Sequence, residues 1–485
     1  MVESVRHRAV IGTLWNVLQK FGSAFIAFIS NMILARLLTP ADFGCIAMLA
    51  VFIVIADTFV DSGLGSAVIQ KKVITQRDLS TVFYFNFGFS IVLYGLFFAC
   101  SPLIADFYGI SILNKVLRVE GLVLVINSFS VVQTALLQRE LRFKEITTAS
   151  LVGQIIAIII AICMAYYGFG VWALVCQIVI AAFVRMIGLW ILSNWHPIWT
   201  FSKDSFHQLF GFGSFIFFST LINNIGNNIQ TLIIGKWFSA GILGYYSQAK
   251  KLEEIAAGSI SGVLNQVTYP ALAKKQDDKS AIVRVMRTMI KLIAYITFPI
   301  MIFLSITGKI IIPLCYGPQW IESIPMFQIL CIAGLAICLQ GVNYFAVAAI
   351  GKSKSLFYWT VIKRIIALVL ILIGVRWGIM GLLIGVVFGA ITILVCNAYQ
   401  VQVFLKYSLW TQFKDLLPSF IITVISGSLL IYVMNFVSTG SLICDIVLLA
   451  TVFIFIYVGL SHIFKLSSYK ECRSIIDSLV HKRSC

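Results

Sequence analysis

The stretch AVIGTLWNVLQKFGSAFIAFISNMILARLL, residues 9–38, follows Arg6 and Arg8 and stays apolar for far longer than a signal-peptide core, with no convincing cleavage site. It reads as a retained first membrane span. A bilayer core takes roughly 20 apolar residues per helix, and comparable runs recur through the sequence. They begin near Ala9, Phe43, Ser80, Lys115, Thr148, Gly170, Phe206, Gly241, Ile282, Ile321, Leu356, Gly378, Asp415 and Ser441. The expectation is an all-α polytopic membrane protein with about fourteen transmembrane helices.

Composition agrees with this reading. Of the 485 residues 60% are hydrophobic and 11% charged, whereas a soluble domain carries about 25% charged residues. So few charges cannot cover a water-facing surface, which excludes a soluble enzyme. The net charge of +17 forms no separate basic module, so it implies no nucleic-acid partner and reports topology instead. With the N-terminus inside, inner segments collect twenty-three Lys and Arg, including Lys71, Lys72, Arg139, Arg142, Lys274, Arg284 and Arg287. The outer side gets six: Arg36, Lys115, Arg118, Lys236, Lys309 and Arg376. By the positive-inside rule both termini are then cytoplasmic. The eleven cysteines lie singly in apolar stretches, without CxxC or histidine at metal spacing, and read as small hydrophobes.

The sequence also repeats itself. Ile33-Leu34-Ala35-Arg36 and Phe43-Gly44 align with Ile233-Ile234-Gly235-Lys236 and Leu243-Gly244 at an offset of 200, and Ile155-Ile156-Ala157 with Ile365-Ile366-Ala367 at 210. The most specific element is a basic residue followed eight positions later by glycine. Two six-helix lobes of equal orientation follow, residues 1–200 and 201–405, as in many transporters built by duplication. Residues 406–464 add a helix pair. Residues 465–485 form a cytoplasmic amphipathic tail whose Tyr469, Cys472, Ile476 and Leu479 keep helical spacing, suited to the inner leaflet.

Ionisable groups deep in a span are functional candidates, because hydrocarbon solvates them poorly. Asn16, Lys20 and Ser23 share one face of the first span, with Lys20 about 18 Å from Arg8 at ~1.5 Å per residue. Asp57 and Asp61 stand one turn apart in the second. Two readings stand for this group, a Lys-Asp pair that locks two helices or the wall of an aqueous cavity. The seventh span carries Ser219, Asn223, Asn227 and Gln230 on one face with Asn224 and Asn228 beside it. Such amides can bond sugar hydroxyls as donor and acceptor, or join helices. The eighth carries Lys250 and Glu254 as an i,i+4 pair, with Lys251 and Glu253 adjacent, then Ser261 and Asn265. Arg185, Lys363 and Arg364 fall within reach of the inner interface, where long cationic side chains snorkel.

Catalytic and energy-coupling motifs are missing. Gly351-Lys352-Ser353 lacks the upstream glycine of a phosphate-binding loop, which would fall at Ala346, and no strand precedes it. No cofactor or metal is expected, and the external loops are too short to hold a catalytic domain.

A family likeness emerges from LWNVLQKFGSAFIAFISNMILARLLTPADFGCIAMLAVFIVIADTFVDSGLGSAVIQ (14–70), RELRFK (139–144), GFGVWALV (168–175), IIGKWFSAGILGYYSQAKKL (233–252) and YPALAKKQDD (269–278). These resemble the Wzx-type polysaccharide flippases, which export lipopolysaccharide and capsule units and belong to the multidrug/oligosaccharidyl-lipid/polysaccharide exporter superfamily. The likeness runs to about Gln402. It implies two lobes rocking around a cavity, which move an undecaprenyl-diphosphate-linked oligosaccharide from the inner to the outer leaflet for surface polysaccharide synthesis, such as O-antigen or capsule. Lys20, Arg36 and Lys251 lie in the matching blocks and are implied contacts for the diphosphate or acidic sugars. Gln230 stands where many members carry an Asp. The full candidate substrate-binding set is Asn16, Lys20, Arg36, Asp57, Asp61, Asn223, Asn227, Gln230, Lys251 and Glu254. The implied partners are the lipid-linked oligosaccharide, membrane lipids and H+ or Na+ as coupling ion, acting on a monomer. Two other functions are weighed: a cation-coupled drug antiporter of the same superfamily with Asp57 and Asp61 as its cation site, and a membrane-embedded polysaccharide polymerase or ligase.

Overall fold

The computed structural model describes residues 2–273, 275, 278–436 and 440–481, without the side chains of residues 2–14, 16, 17, 20, 212, 215, 259–271, 273, 353, 475, 476 and 478–481. The protein divides into two units, Met1–Ser247 and Gln248–Cys485. The first holds α1 (Val2–Leu37), α2 (Pro40–Asp61), α3 (Leu64–Gln70), α4 (Gln76–Tyr108), α5 (Ile112–Glu120), α6 (Leu122–Ser128), α7 (Val131–Arg139), α8 (Phe143–Tyr166), α9 (Val171–Leu192), α10 (Lys203–Trp237) and the start of α11 (Ala240–Ala273). The second continues α11 and adds α12 (Lys279–Tyr316), α13 (Ser323–Ala349), α14 (Ser353–Val375), α15 (Gly378–Leu405), α16 (Leu409–Met434), α17 (Leu442–Ile463) and α18 (Ser467–His481). No strand occurs among the described residues.

Polar residues between the apolar runs start these helices. Thr39 and Asp42 form a reciprocal capping box at α2, with Pro40 at its first turn, and Thr75 and Asp78 do the same for α4. Ser202, Asp278 and Ser408 cap α10, α12 and α16 by accepting a backbone N–H three residues on. Ten helices are long and apolar enough to span a bilayer, or twelve if each of two bent pairs counts as one span. The count of about fourteen therefore does not follow from the described residues; α1 and α11, whose side chains are partly undescribed, stand outside the twelve.

Where the expected spans break, the cause is local. The second span stops after Asp61 because Ser62 and Gly63 take left-handed backbone, φ 49° and 68°. The short α3 that follows is held at its C-terminal end by Arg139. That guanidinium donates to the carbonyls of Val68 at 2.9 Å and Lys72 at 2.7 Å, and to that of Lys71, satisfying orphan helix-end acceptors. Arg139, expected from the sequence as an inner-side charge, is a structural cap. The fourth expected span is α5 to α7, a broken path with a 40° bend.

Large apolar side chains stand outward, such as Phe25 at 65% and Phe455 at 74% exposure. Water would not tolerate this over whole helices, and lipid does. Inside the first unit, Leu64, Val68, Phe83, Val132 and Leu209 form a core with Trp190 against it. Inside the second, Ile282, Met286, Phe298, Leu339 and Val342 bind α12 to α13. The tail helix α18 lays Tyr469 and Cys472 against Tyr295, Ile422 and Tyr457. Part of its apolar stripe thus packs on protein, while Ile476 and Leu479 lie outside the described side chains.

Candidate functional site

A cavity of about 330 Å³ opens inside the first unit between α2, α3, α6, α7 and α9. Helix α2 presents Asp57 and Asp61 to it, since residues four apart share a helix face. From α6, Asn127 donates its Nδ2–H to Asp57 Oδ1 at 3.1 Å. From α9, Arg185 comes close enough for its guanidinium to attract the Asp57 carboxylate. Asp61 accepts the backbone N–H of Gly65. A Cβ there would lie 2.8 Å from Asp61 Oδ1, so a larger residue would have to move the carboxylate.

The lining holds two carboxylates, one guanidinium, an amide and several hydroxyls. Arg185 Nε and Thr134 Oγ1 are buried and have no hydrogen-bond partner among the described residues. Among its described side chains the lining sets two acids against one base. Hydroxyl-rich or cationic groups match the lining.

Arg185 corrects the sequence reading, which put it at the inner interface. Its side chain lies in the cavity, and even treatment of every intramembrane charge as a site candidate would have retained it. Lys363 needs the same correction. It is 5% exposed and donates to Asn397 Oδ1 at 2.7 Å, inside the α13 to α15 group of the second unit. Asp57 and Asp61 are the two candidate residues brought together. Asn16 and Lys20 lie on α1 with their side chains outside the description, so the partners of Asp57 that the structure defines are Asn127 and Arg185. Ser261 and Asn265 also lie outside it.

The amide face of α10 is divided by its packing. Asn224 donates to Thr58 Oγ1 of α2 at 2.8 Å, and Gln230 Oε1 accepts from Tyr246 OH at 2.7 Å. These two join helices. Ser219, Asn223 and Asn227 remain on the exposed side. Helix α2 therefore turns Asp57 to the cavity and Thr58 to the amide helix.

Other candidates stand apart. Lys250 pairs with Glu254 at 3.7 Å, and Lys251 also attracts Glu254. Glu253, 5% exposed, is pressed against Gly334 and Met301. Lys251 and Glu254 belong to the second unit, and Arg36 lies exposed in the last turn of α1. Lys236, the repeat partner of Arg36, donates to the Phe107 carbonyl at 2.5 Å and sits 4.1 Å over its ring. It closes the C-terminal end of α4. No group of three metal-ligating side chains occurs among the described residues.

Residues 33–325, more than half of the chain, match the family described as polysaccharide biosynthesis protein. The chain is 24% identical over 428 residues to the teichuronic acid biosynthesis protein TuaB of Bacillus subtilis (strain 168), covering 87% of this chain and 88% of that one. It is 26% identical over 444 residues to the lipopolysaccharide biosynthesis protein WzxC of Escherichia coli (strain K12), covering 88% and 89%. Among solved structures, the lipid II flippase MurJ in an inward closed conformation shares the fold. Its TM-score is 0.78 at 16% identity, covering 93% of this chain and 98% of that one.

Proposed function

Because the chain belongs to the polysaccharide biosynthesis protein family, we propose that it is a flippase that carries a lipid-linked oligosaccharide from the inner to the outer leaflet of a bacterial inner membrane. The observation that carries this reading is the hydroxyl-, amide- and acid-lined cavity set among helices that otherwise expose apolar side chains. A polyprenyl tail can stay in lipid during such a transfer, while the sugars need polar partners that hydrocarbon cannot give. Asn223, Asn227 and Ser219 add an exposed row suited to sugar hydroxyls. The relatives named for teichuronic acid and lipopolysaccharide biosynthesis support the substrate class.

The test is direct. Cells lacking the gene accumulate lipid-linked repeat units on the inner leaflet and lose surface polysaccharide. The purified protein in liposomes moves a fluorescent polyprenyl-diphosphate oligosaccharide between leaflets without changing its length. A lengthened or transferred product would establish a polymerase or ligase instead.

Asp61, whose charge no cation among the described lining residues balances once Arg185 faces Asp57, is the proposed seat of the coupling H+ or Na+. Both termini are proposed to be cytoplasmic, and the protein to act as a monomer. A cysteine placed at exposed Gly440 is expected to react with an impermeant maleimide in intact cells, and one at exposed Glu140 only after permeabilisation. The reverse pattern would invert the topology.

A further inference from the structure

The repeat element of a basic residue followed eight positions later by glycine meets itself in space. The first turns of α2 and α11, both within the first unit, cross backbone to backbone. A Cβ on Gly44 would fall 1.8 Å from the carbonyl oxygen of Ala240, and one on Gly244 would fall 1.8 Å from that of Pro40. Gly44 and Gly244 differ by the repeat offset of 200, and so do Pro40 and Ala240. The contact is thus reciprocal, each repeat offering a glycine to the first carbonyl of the other's helix. Helix packing alone asks for small residues at such a crossing, but not for this exchange between equivalent positions.

Its surroundings are stiff. The Thr39 and Asp42 capping box fixes the start of α2. The Ser239 hydroxyl accepts the Ile242 N–H at the start of α11. Lys236 ties the end of α10 to the end of α4. The closest approach of these two corners is thus backbone to backbone, with the side chains of Met48 and Leu243 packed beside it against Gly235. Contacts between a backbone C–H and a carbonyl oxygen are individually weak, so the glycine-to-carbonyl approach itself costs little to part. Since Gly44 and Gly244 are buried, nothing larger than hydrogen passes between them while they touch.

We propose that Gly44 and Gly244 form a backbone gate, at the end of the bundle that the Lys and Arg bias assigns to the outside, which must close and part once in each transport cycle. This rests on the flippase reading above. Alanine at either position puts a methyl group into a carbonyl that cannot rotate away, so it holds the α10 to α11 corner off the start of α2.

The experiment uses the full-length protein in lipid nanodiscs, with spin labels on cysteines at Ala41 and Trp237, both exposed beside the contact, and pulsed distance measurement. The unsubstituted gate is expected to give a short distance and a minor longer one. In Gly44→Ala and in Gly244→Ala the longer distance dominates, and export in cells falls about tenfold or more, as a population trapped in one state requires. The double variant is no worse than either single one, because either methyl group already parts the contact. Gly95→Ala, whose Cβ would meet nothing within 4 Å, leaves both readouts unchanged. A short distance that persists in both variants overturns the gate, as does a lengthened distance with undiminished export. If the variants do not fold, a single short distance in the otherwise native protein overturns it equally. Failure of the flippase reading is separate, since it is read from the lipid-linked oligosaccharides of cells lacking the gene.

Discussion

Arg185→Met is expected to lower the stability of the detergent-solubilised protein by about 3–5 kcal/mol, the usual cost of removing one partner from a buried charge pair, and to abolish export. Among the described residues Asp57 would keep the Asn127 amide as its partner. The informative variant is the double one, Arg185→Met with Asp57→Asn. It removes both charges and keeps an oxygen for Asn127, so most of the lost stability should return. Export should not, because the cavity then lacks the guanidinium and one of the two acids found among its described lining residues. Recovery of export together with stability would reduce Arg185 and Asp57 to a lock between α2 and α9. Asp61→Asn belongs in the same series, since it should leave folding intact and uncouple export from the ion gradient. Thermal unfolding and accumulation of lipid-linked oligosaccharide, measured on the same variants, separate these outcomes.

Asp415→Ala is expected to cost about 2–4 kcal/mol with little change in export per folded molecule. Asp415, at the start of α16, accepts two bonds from Arg287 at 2.6 and 2.8 Å and one from Tyr407 OH at 2.8 Å, with Lys291 at 3.3 Å. Its side chain is 5% exposed while Arg287 is 50% exposed. Released Arg287 can therefore hydrate, which shifts the loss somewhat below the range for a fully buried pair. Lys291 and Tyr407 cannot escape as easily. Asp415→Asn should recover part of the loss by keeping an acceptor for Tyr407. A midpoint for Asp415→Ala equal to that of the unsubstituted protein would mean that α16 is held on α12 by apolar packing alone.

The sequence by itself determined the class of fold and roughly where its helices begin. Hydropathy does this because lipid demands continuous apolar helices whose backbone groups are all satisfied internally, and that demand is written residue by residue in runs such as 43–60 and 379–396. Helix starts were legible only to within several residues, Phe43 for Pro40 and Asp415 for Leu409, and the caps that set them, such as Thr39 with Asp42, went unread. The acidic half of the cavity was legible too, because Asp57 and Asp61 lie one turn apart and stand out against an apolar helix. The repeat could be read from Arg36, Gly44, Lys236 and Gly244, though not that its two copies meet.

Tertiary structure alone decided which partner each polar group faces. Arg185 and Lys363 look like snorkelling cations when only their distance from a helix end is known. Rotation about the helix axis, set by packing, turns Arg185 toward Asp57 and Lys363 toward Asn397. The same rotation sorts the amides of α10, so that Asn224 and Gln230 are spent on Thr58 and Tyr246 while Asn223 and Asn227 stay exposed. Arg139 and Arg287, equal in the sequence as inner-side charges, become the cap of α3 and the anchor of Asp415. Periodicity gives the angle between residues on one helix, but the angle between helices is fixed by residues far apart in sequence, and only that second angle says what a buried charge is for.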